Sequence, residues 1–393
     1  MGIAVVKLHF QAMLKQYPAW IMETVVKFAQ NKDIDFKKTL HSRVNAYFTS
    51  TGLSKNHNPA MLLKTVVMLA LYIVPFVLIL TLSIPFWLVI ILFLIIGVGI
   101  AGIGMSVMHD GNHFGYSKNH RVNRIVGLTM NLLGADAYNW KIKHNKLHHV
   151  FTNIYGKDED INSRVILRFA FGSPLKKFHK YQYLYAWFFY ALMSLSMMFG
   201  DISKRINNRN RGLTNISLSA FRRSMFWLIV SKIIYFGVII GLPILLTGLL
   251  WWQVLLGFLL MHLVAGTIMS VVFQMAHVVE GPAQAIPDKE GRINDSLIVH
   301  QLKSTADFSK GNKILSWYVG GLNYQVEHHL YPKICHVHYP AISKIVEATT
   351  REFNIPYYVY DSFWDALRAH ITTLKRLGRE RVSGASAFSP AGV

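Results

Sequence analysis

Apolar residues along this 393-residue chain are gathered into long runs instead of being spread at the spacing of a soluble core. Thr65 to Met108 carries no charged residue. That stretch is too long for one bilayer crossing and suits two, since about 20 apolar residues cover the hydrocarbon core. Pro75, Ser83 and Pro85 offer a break, which gives expected spans near 61–82 and 84–107. A second pair is expected at 225–247, with the single charge of Lys232, and at 250–273; Gly241, Pro243 and Gly248 mark the join. A further apolar stretch at 181–200 is rich in aromatic residues and has Lys and Arg on both sides. Aromatic residues with basic flanks belong at the membrane interface.

The predicted fold is all-α: four transmembrane helices in two hairpins beneath a helical cap. Residues 1–60 are polar and basic and read as amphipathic helices on the membrane surface or packed on the main domain; 61–340 form the membrane domain. Residues 341–382 read as cap helices, with Ile342, Ile345, Leu367, Ile371 and Leu374 at helical spacing, and the small residues of 383–393 read as a disordered tail. Lys and Arg number 41 against 20 Asp and Glu, a net charge of +21. Such a balance suits nucleic acid, a membrane surface or an anionic ligand, and the charge-free runs select membrane lipids; no nucleic-acid partner is expected. Both joins are uncharged, while 1–60, 118–180, 202–224 and 281–381 are basic. All these polar segments are therefore expected on the cytoplasmic face of a bacterial inner membrane or its equivalent. Cys335 is the only cysteine, so no intrachain disulfide can form. Met1 to Gln30 lacks a signal-peptide pattern, and Val6 stands where myristoylation wants Ser or Thr.

Histidine carries the chemistry. Of 18 in the chain, seven fall in three tight groups: His109 and His113 after the second span, then His144, His148 and His149, then His328 and His329 behind Gln325. His277 follows the last span. Residues four apart share a helix face, so His109/His113 and His144/His148 can each present two imidazoles to one point, and His149 can reach a second metal. Eight nitrogen ligands suit two metals, because one zinc takes about four. Imidazole suits iron, zinc, copper or nickel. The chain has no His-Glu-x-x-His, no Glu-x-x-His and no Cys cluster. Those absences disfavour the zinc peptidases, the carboxylate di-iron bundles and iron–sulfur centres. The histidine groups lie before and after 181–200 and can meet only if an even number of spans separates them, so this segment is expected to lie along the membrane. An acyl methylene has no acidic proton, and breaking its C–H bond calls for a redox metal that activates oxygen.

The three histidine boxes, their order and their places beside two pairs of spans resemble the membrane fatty-acid desaturase family from about Thr65 to Pro340. The Gln325 start of the third box resembles the linoleoyl-CoA and front-end branch. The resemblance implies two iron ions held by His109, His113, His144, His148, His149, His328 and His329, with His277 as a further ligand or else a helix cap. It leaves Gln325 as a ligand, direct or through water, or a neighbour of the ligands, and assigns no catalytic residue beyond the metal centre. It implies oxygen-dependent insertion of a double bond into an acyl-CoA or acyl-lipid, with molecular oxygen as oxidant. The His-Pro-Gly-Gly mark of a fused cytochrome b5 domain is missing. A separate electron donor, a ferredoxin or a cytochrome b5-type protein, is then expected. A hydroxylase on the same scaffold is the nearest alternative; a multi-span transporter or a membrane zinc hydrolase is a more distant one.

Other residues carry smaller expectations. Asp110, Asp158, Glu159, Asp160, Glu280 and Glu327 either orient metal-bound imidazoles or pair with Lys146, Lys157 and Arg164. His262 lies too deep for the metals and reads as a satisfied interior histidine or a tunnel wall. His300, His336 and His338 read as neighbours of the ligands. His9, His41, His57, His120, His179 and His370 read as surface residues. Trp140 and Asn139 are candidates for the mouth of a substrate tunnel.

Overall fold

The computed structural model describes residues 25–162 and 165–380. The tail at 383–393, the first 24 residues of the expected amphipathic segment, His9 and Arg164 lie outside them. Four helices are long and apolar enough to cross a membrane: Pro59–Thr81, Phe86–Asn112, Leu218–Leu246 and Trp251–His277. The first begins where Asn58 accepts a hydrogen bond from the Met61 N–H ahead of Pro59, a cap followed by proline at the first helical position. The fourth begins where the Gln253 side chain accepts from the Leu250 N–H. Pro75 lies inside the first helix, as the expected span 61–82 requires, and the break falls at Ser83 and Pro85. The Pro75 ring leaves the Leu71 carbonyl without a helical donor. The backbone of Gly99, on the second helix, packs on that carbonyl. The third helix likewise continues through Gly241 and Pro243 by way of a π turn at Gly237–Gly241, so only Gly248 lies in the join.

The second helix is the core of the bundle. Phe93, Ile96 and Ile100 on it are buried against Met68, Tyr72 and Ile79 of the first helix and Met261 and Ala265 of the fourth. Glycine permits the close approach on both sides, Gly99 against Leu71 and Gly257 against the Phe93 ring. The outer faces keep Leu63, Val66, Trp87, Ile233, Leu245 and Trp251 exposed, an apolar belt suited to lipid.

Residues 181–200 are not one helix. Gln182–Ala191 and Met193–Asn210 are separate helices, and the unit they form with the turn before them bends by 66°. At the bend, Gly266 of the fourth helix abuts the Tyr190 and Ala191 carbonyls, and Ser270 Oγ donates to the Tyr190 carbonyl at 3.1 Å. Such an outside donor stabilises a carbonyl that the helix has released.

A cap closes one end. Phe36, Leu40, Val44 and Phe48, on one face of helix Ile34–Thr51, pack on Tyr339, Ile342 and Val346 of helix Tyr339–Glu352. In helix Phe363–Leu377, Leu374 is buried and Leu367 and Ile371 are half-buried. Two short parallel strand pairs add to the all-helical expectation: Lys27–Phe28 with Arg292–Ile293, and Ala306–Phe308 with Tyr358–Tyr360. Pairs of two or three residues carry no periodicity that a sequence could display.

A Cβ on Gly99 would lie 2.9 Å from the Leu71 carbonyl carbon, whereas one on Gly248 would meet nothing within 4 Å. Gly99→Val is expected to destabilise the bundle by about 1–3 kcal/mol. Thermal unfolding in detergent should show a lowered Tm for Gly99→Val and none for Gly248→Ala.

Candidate metal centre

Each histidine group sits at the end of an element with an unusual backbone. The second apolar helix passes through a π turn at Ile103–Val107 just before His109. The second group lies on a π turn, Ile142–His148, continuing from a helix whose N-cap Asp136 accepts from the Asn139 N–H at 2.8 Å. The third lies on helix Gln325–Leu330. The chain reaches that helix through Gly320 and Gly321, both with positive φ, and a side chain at Gly320 would strike the Met105 and Ser106 backbone. His277 is the last residue of the fourth apolar helix.

These elements bring all eight histidines together. The ligand nitrogens of His109, His113, His144 and His328 lie within 4.8 Å of one another, as do those of His148, His277 and His329; His149 groups with His328 and His329. His144 and His148 pair as expected, beside Asp160, and the π turn adds His149 to His144, because on it residues five apart also share a side. His149 Nε2 is 3.2 Å from His144 Nε2, and His148 Nε2 is 3.2 Å from His329 Nε2. Two nitrogens each about 2.1 Å from one ion and a right angle apart sit about 3.0 Å from each other. Gln325 Nε2 lies 2.9 Å from His277 Nε2 and 3.5 Å from His329 Nε2, so its amide closes the open side of the second group.

The outward nitrogens are held. His148 Nδ1 lies 3.0 Å from Asp158 Oδ2 and 3.5 Å from Asp160. Gln301 donates to the His149 carbonyl at 2.9 Å, which turns its Oε1 to accept from His329 Nδ1 at 2.7 Å. Thr152 Oγ1 bonds the same Oε1 at 2.8 Å. His277 Nδ1 faces the Ser304 carbonyl at 3.4 Å, and His328 Nδ1 faces the Tyr339 hydroxyl at 3.4 Å. With protons assigned outward on His148 and His329, two lone pairs confront each other at 3.2 Å, and a proton or a metal ion has to lie between them. His109, His113 and His328 carry buried Nε2 atoms with no partner. The donor set therefore fits metal ions.

Electrostatics agree. Burial and the neighbouring imidazoles hold His113, His144, His149, His328 and His329 well below the usual histidine range, so each is neutral with a free lone pair. Burial also disfavours charge on His148, but the Asp158 carboxylate outweighs it and raises that histidine. Burial and then the adjacent Asp307 push Glu327 well up, and the two carboxyls share Tyr357 Oη at 3.0 and 2.6 Å. Glu327 thus anchors the third box to the cap and faces no ligand imidazole.

The remaining acidic residues divide. Asp110 bonds His336 Nδ1 at 2.8 Å and lies 3.9 Å from His109 Nδ1. Asp160 pairs with Lys143, and Glu159 and Glu280 pair with Arg211 and Arg376 at the surface. His262 is a satisfied interior histidine between Ser194 Oγ and Tyr235 Oη, each at 2.7 Å. His300 packs on the Phe28 ring in a tilted contact, and His338 bonds the Asn56 carbonyl. His120 is exposed, and His41 and His57 are half-buried on Tyr331 and Tyr116. His179 and His370 are not surface residues. His370 is fully buried between Tyr190 Oη and the Val278 carbonyl, and His179 between the Lys176 N–H and the Val165 carbonyl. His370 ties the cap to the bundle and His179 closes its own turn, roles that flanking polar residues conceal.

Lys64, Thr152 and Gln301 were not singled out by sequence, and no local signal marks them: Gln301 meets His329 across 28 residues and Lys64 meets His336 across 272. A cavity of about 160 Å³ opens on the centre. His109, His144, Trp140 and Gln325 line it beside Met105, Met108, Met130, Leu133, Met197 and Phe273. Trp140 stacks on His144 at 4.3 Å, while Asn139 faces Asp201 instead.

The family model for fatty acid desaturase matches residues 85–361. The chain is 34% identical to an sn-1 linoleoyl-lipid 6-desaturase of Arthrospira platensis, over 90% of this chain and 95% of that one. It is 31% identical to the protein of that name from Synechocystis sp., over 90% and 98%. It is 32% identical to an acyl-lipid (8-3)-desaturase of Physcomitrium patens, over 91% and 74%. With the histidine boxes gathered at one end of an apolar helical bundle, the chain belongs to the fatty acid desaturase family.

Proposed function

We propose that this desaturase inserts a double bond into the acyl chain of a membrane lipid at a pair of iron ions held by the eight histidines. The observation that carries the reading is the convergence of eight imidazoles, mostly buried, on inward nitrogens at the end of an apolar cavity. His109, His113, His144 and His328 form one ligand group, and His148, His277 and His329 the other, with His149 between them and Gln325 at the open side. The names of the relatives favour an acyl-lipid over an acyl-CoA.

Bound iron would supply oxygen activation: one O2, two external electrons and two protons become two waters as two hydrogens leave adjacent methylene carbons. The chain does the rest. Asp158, Gln301 and Ser304 fix the rings of His148, His329 and His277. The methionine-lined cavity would admit a flexible acyl chain, exclude water and hold one C–C bond beside His109 and His144. Four crossings in two hairpins, with the histidines on the cytoplasmic side, suit this site. The bent pair at 182–210 then lies along the interface, since one more crossing would part the second box from His277 and the third. Electrons come from a separate acidic carrier, a ferredoxin or cytochrome b5-type protein, which the net charge of +21 suits.

Alanine at His148 or His329 is expected to abolish new unsaturated product in a host supplied with acyl substrates, read by gas chromatography–mass spectrometry. The folded protein should remain in the membrane with reduced iron per chain; full turnover in both variants would sink the ligand assignment. Gln301→Leu removes the acceptor that orients His329. It is expected to cost about 10–100-fold in iron affinity or turnover, measured by iron retained against a chelator, while Gln301→Glu keeps an acceptor and loses less.

A further inference from the structure

The first apolar helix carries one charge, Lys64, and it is only 3% exposed. Its Nζ lies 2.6 Å from His336 Nε2. A lysine ammonium has donors only, so His336 Nε2 accepts and the ring proton sits on Nδ1. That Nδ1–H donates to Asp110 Oδ2 at 2.8 Å, and the His336 backbone N–H donates to the same oxygen at 3.2 Å. The other oxygen, Asp110 Oδ1, lies 3.9 Å from His109 Nδ1. His109 Nε2 is buried without a partner among the other imidazoles. Asp110, Cys335 and His336 could by geometry hold a metal of their own. The Lys64 ammonium on the other ring nitrogen, His336 Nε2, sets a positive charge beside that group and disfavours a second cation there.

We propose that Lys64, acting through His336 and Asp110, is a positioning residue for the metal centre: it holds Asp110 in place and offsets its charge 3.9 Å from His109, and so sets the reduction potential of the ion that His109 binds. The inference rests on His109 being a ligand. A bare carboxylate behind a metal-bound imidazole makes it a stronger donor and favours the oxidised metal. The ammonium at the far end of the relay opposes that pull. Trp317, whose ring lies 5.5 Å from Nζ, helps shelter the charge. Replacing Lys64 by an apolar residue leaves Asp110 uncompensated and should lower the potential.

The experiment is a redox titration of purified, iron-loaded enzyme followed by Mössbauer spectroscopy, with iron per chain counted in each sample. K64M is expected to keep its iron and show a lowered midpoint. K64R keeps the charge and should match the wild type. K64M/D110N removes both charges and should return toward it. A K64M midpoint equal to wild type, or a K64R midpoint as low as K64M, would overturn the relay and leave Lys64 a packing residue. If K64M alone does not fold, recovery of the double variant with iron bound supports charge compensation, and its failure to fold overturns it. Wild-type protein free of iron would overturn the ligand set itself, and this inference with it.

Discussion

Uncharged imidazoles facing one another in a buried space are the constraint on which the rest of the structure depends. Eight rings at the end of an apolar bundle cannot all be protonated, because each added charge would be desolvated beside the others. Nor can their lone pairs simply confront each other: His148 and His329 do so at 3.2 Å. The arrangement is stable only with a proton or a cation between facing rings and with each ring prevented from turning. The second demand accounts for much of the cap. Gln301 and Ser304 come from the one helix Leu297–Ser304, Tyr339 and Asp158 from two other segments, and each faces one outward nitrogen.

The backbone bends to the same constraint. On a regular helix His144 and His148 would share a face, and His149 would stand apart. The π turn at Ile142–His148 brings His149 beside His144 as well, while His148 stays near His144 and reaches the other group. A second π turn precedes His109, and Gly320 and Gly321 let the third box approach the backbone of that turn. Such insertions weaken a helix and persist where a site needs the side chains they re-aim.

The spans were legible because lipid demands long uncharged runs, and the boxes because metal ligands recur at helical spacing in polar sequence. Their ends were legible less well. Pro75 and Pro243 look like breaks, yet both are absorbed, one where Gly99 packs on the freed carbonyl and the other within a helix continued by a π turn. His370 sits at helical spacing with Ala366 and Leu374 on the buried face of its helix, but a histidine among Arg and Lys reads as surface. Residues that orient the ligands were silent, since Gln301 and Lys64 are defined by partners distant in sequence. The two strand pairs were silent for lack of length.

The charges around the centre follow one plan on both sides. In the group of His109, His113, His144 and His328, one ring is backed by a carboxylate, Asp110, whose charge is met through His336 by Lys64. In the group of His148, His277 and His329, one ring is backed by the carboxylates of Asp158 and Asp160, and Asp160 is met by Lys143. The outward nitrogens of His277 and His329 face a neutral carbonyl and a neutral amide. Each group thus has one ring with a carboxylate behind it and a lysine on the far side of that carboxylate.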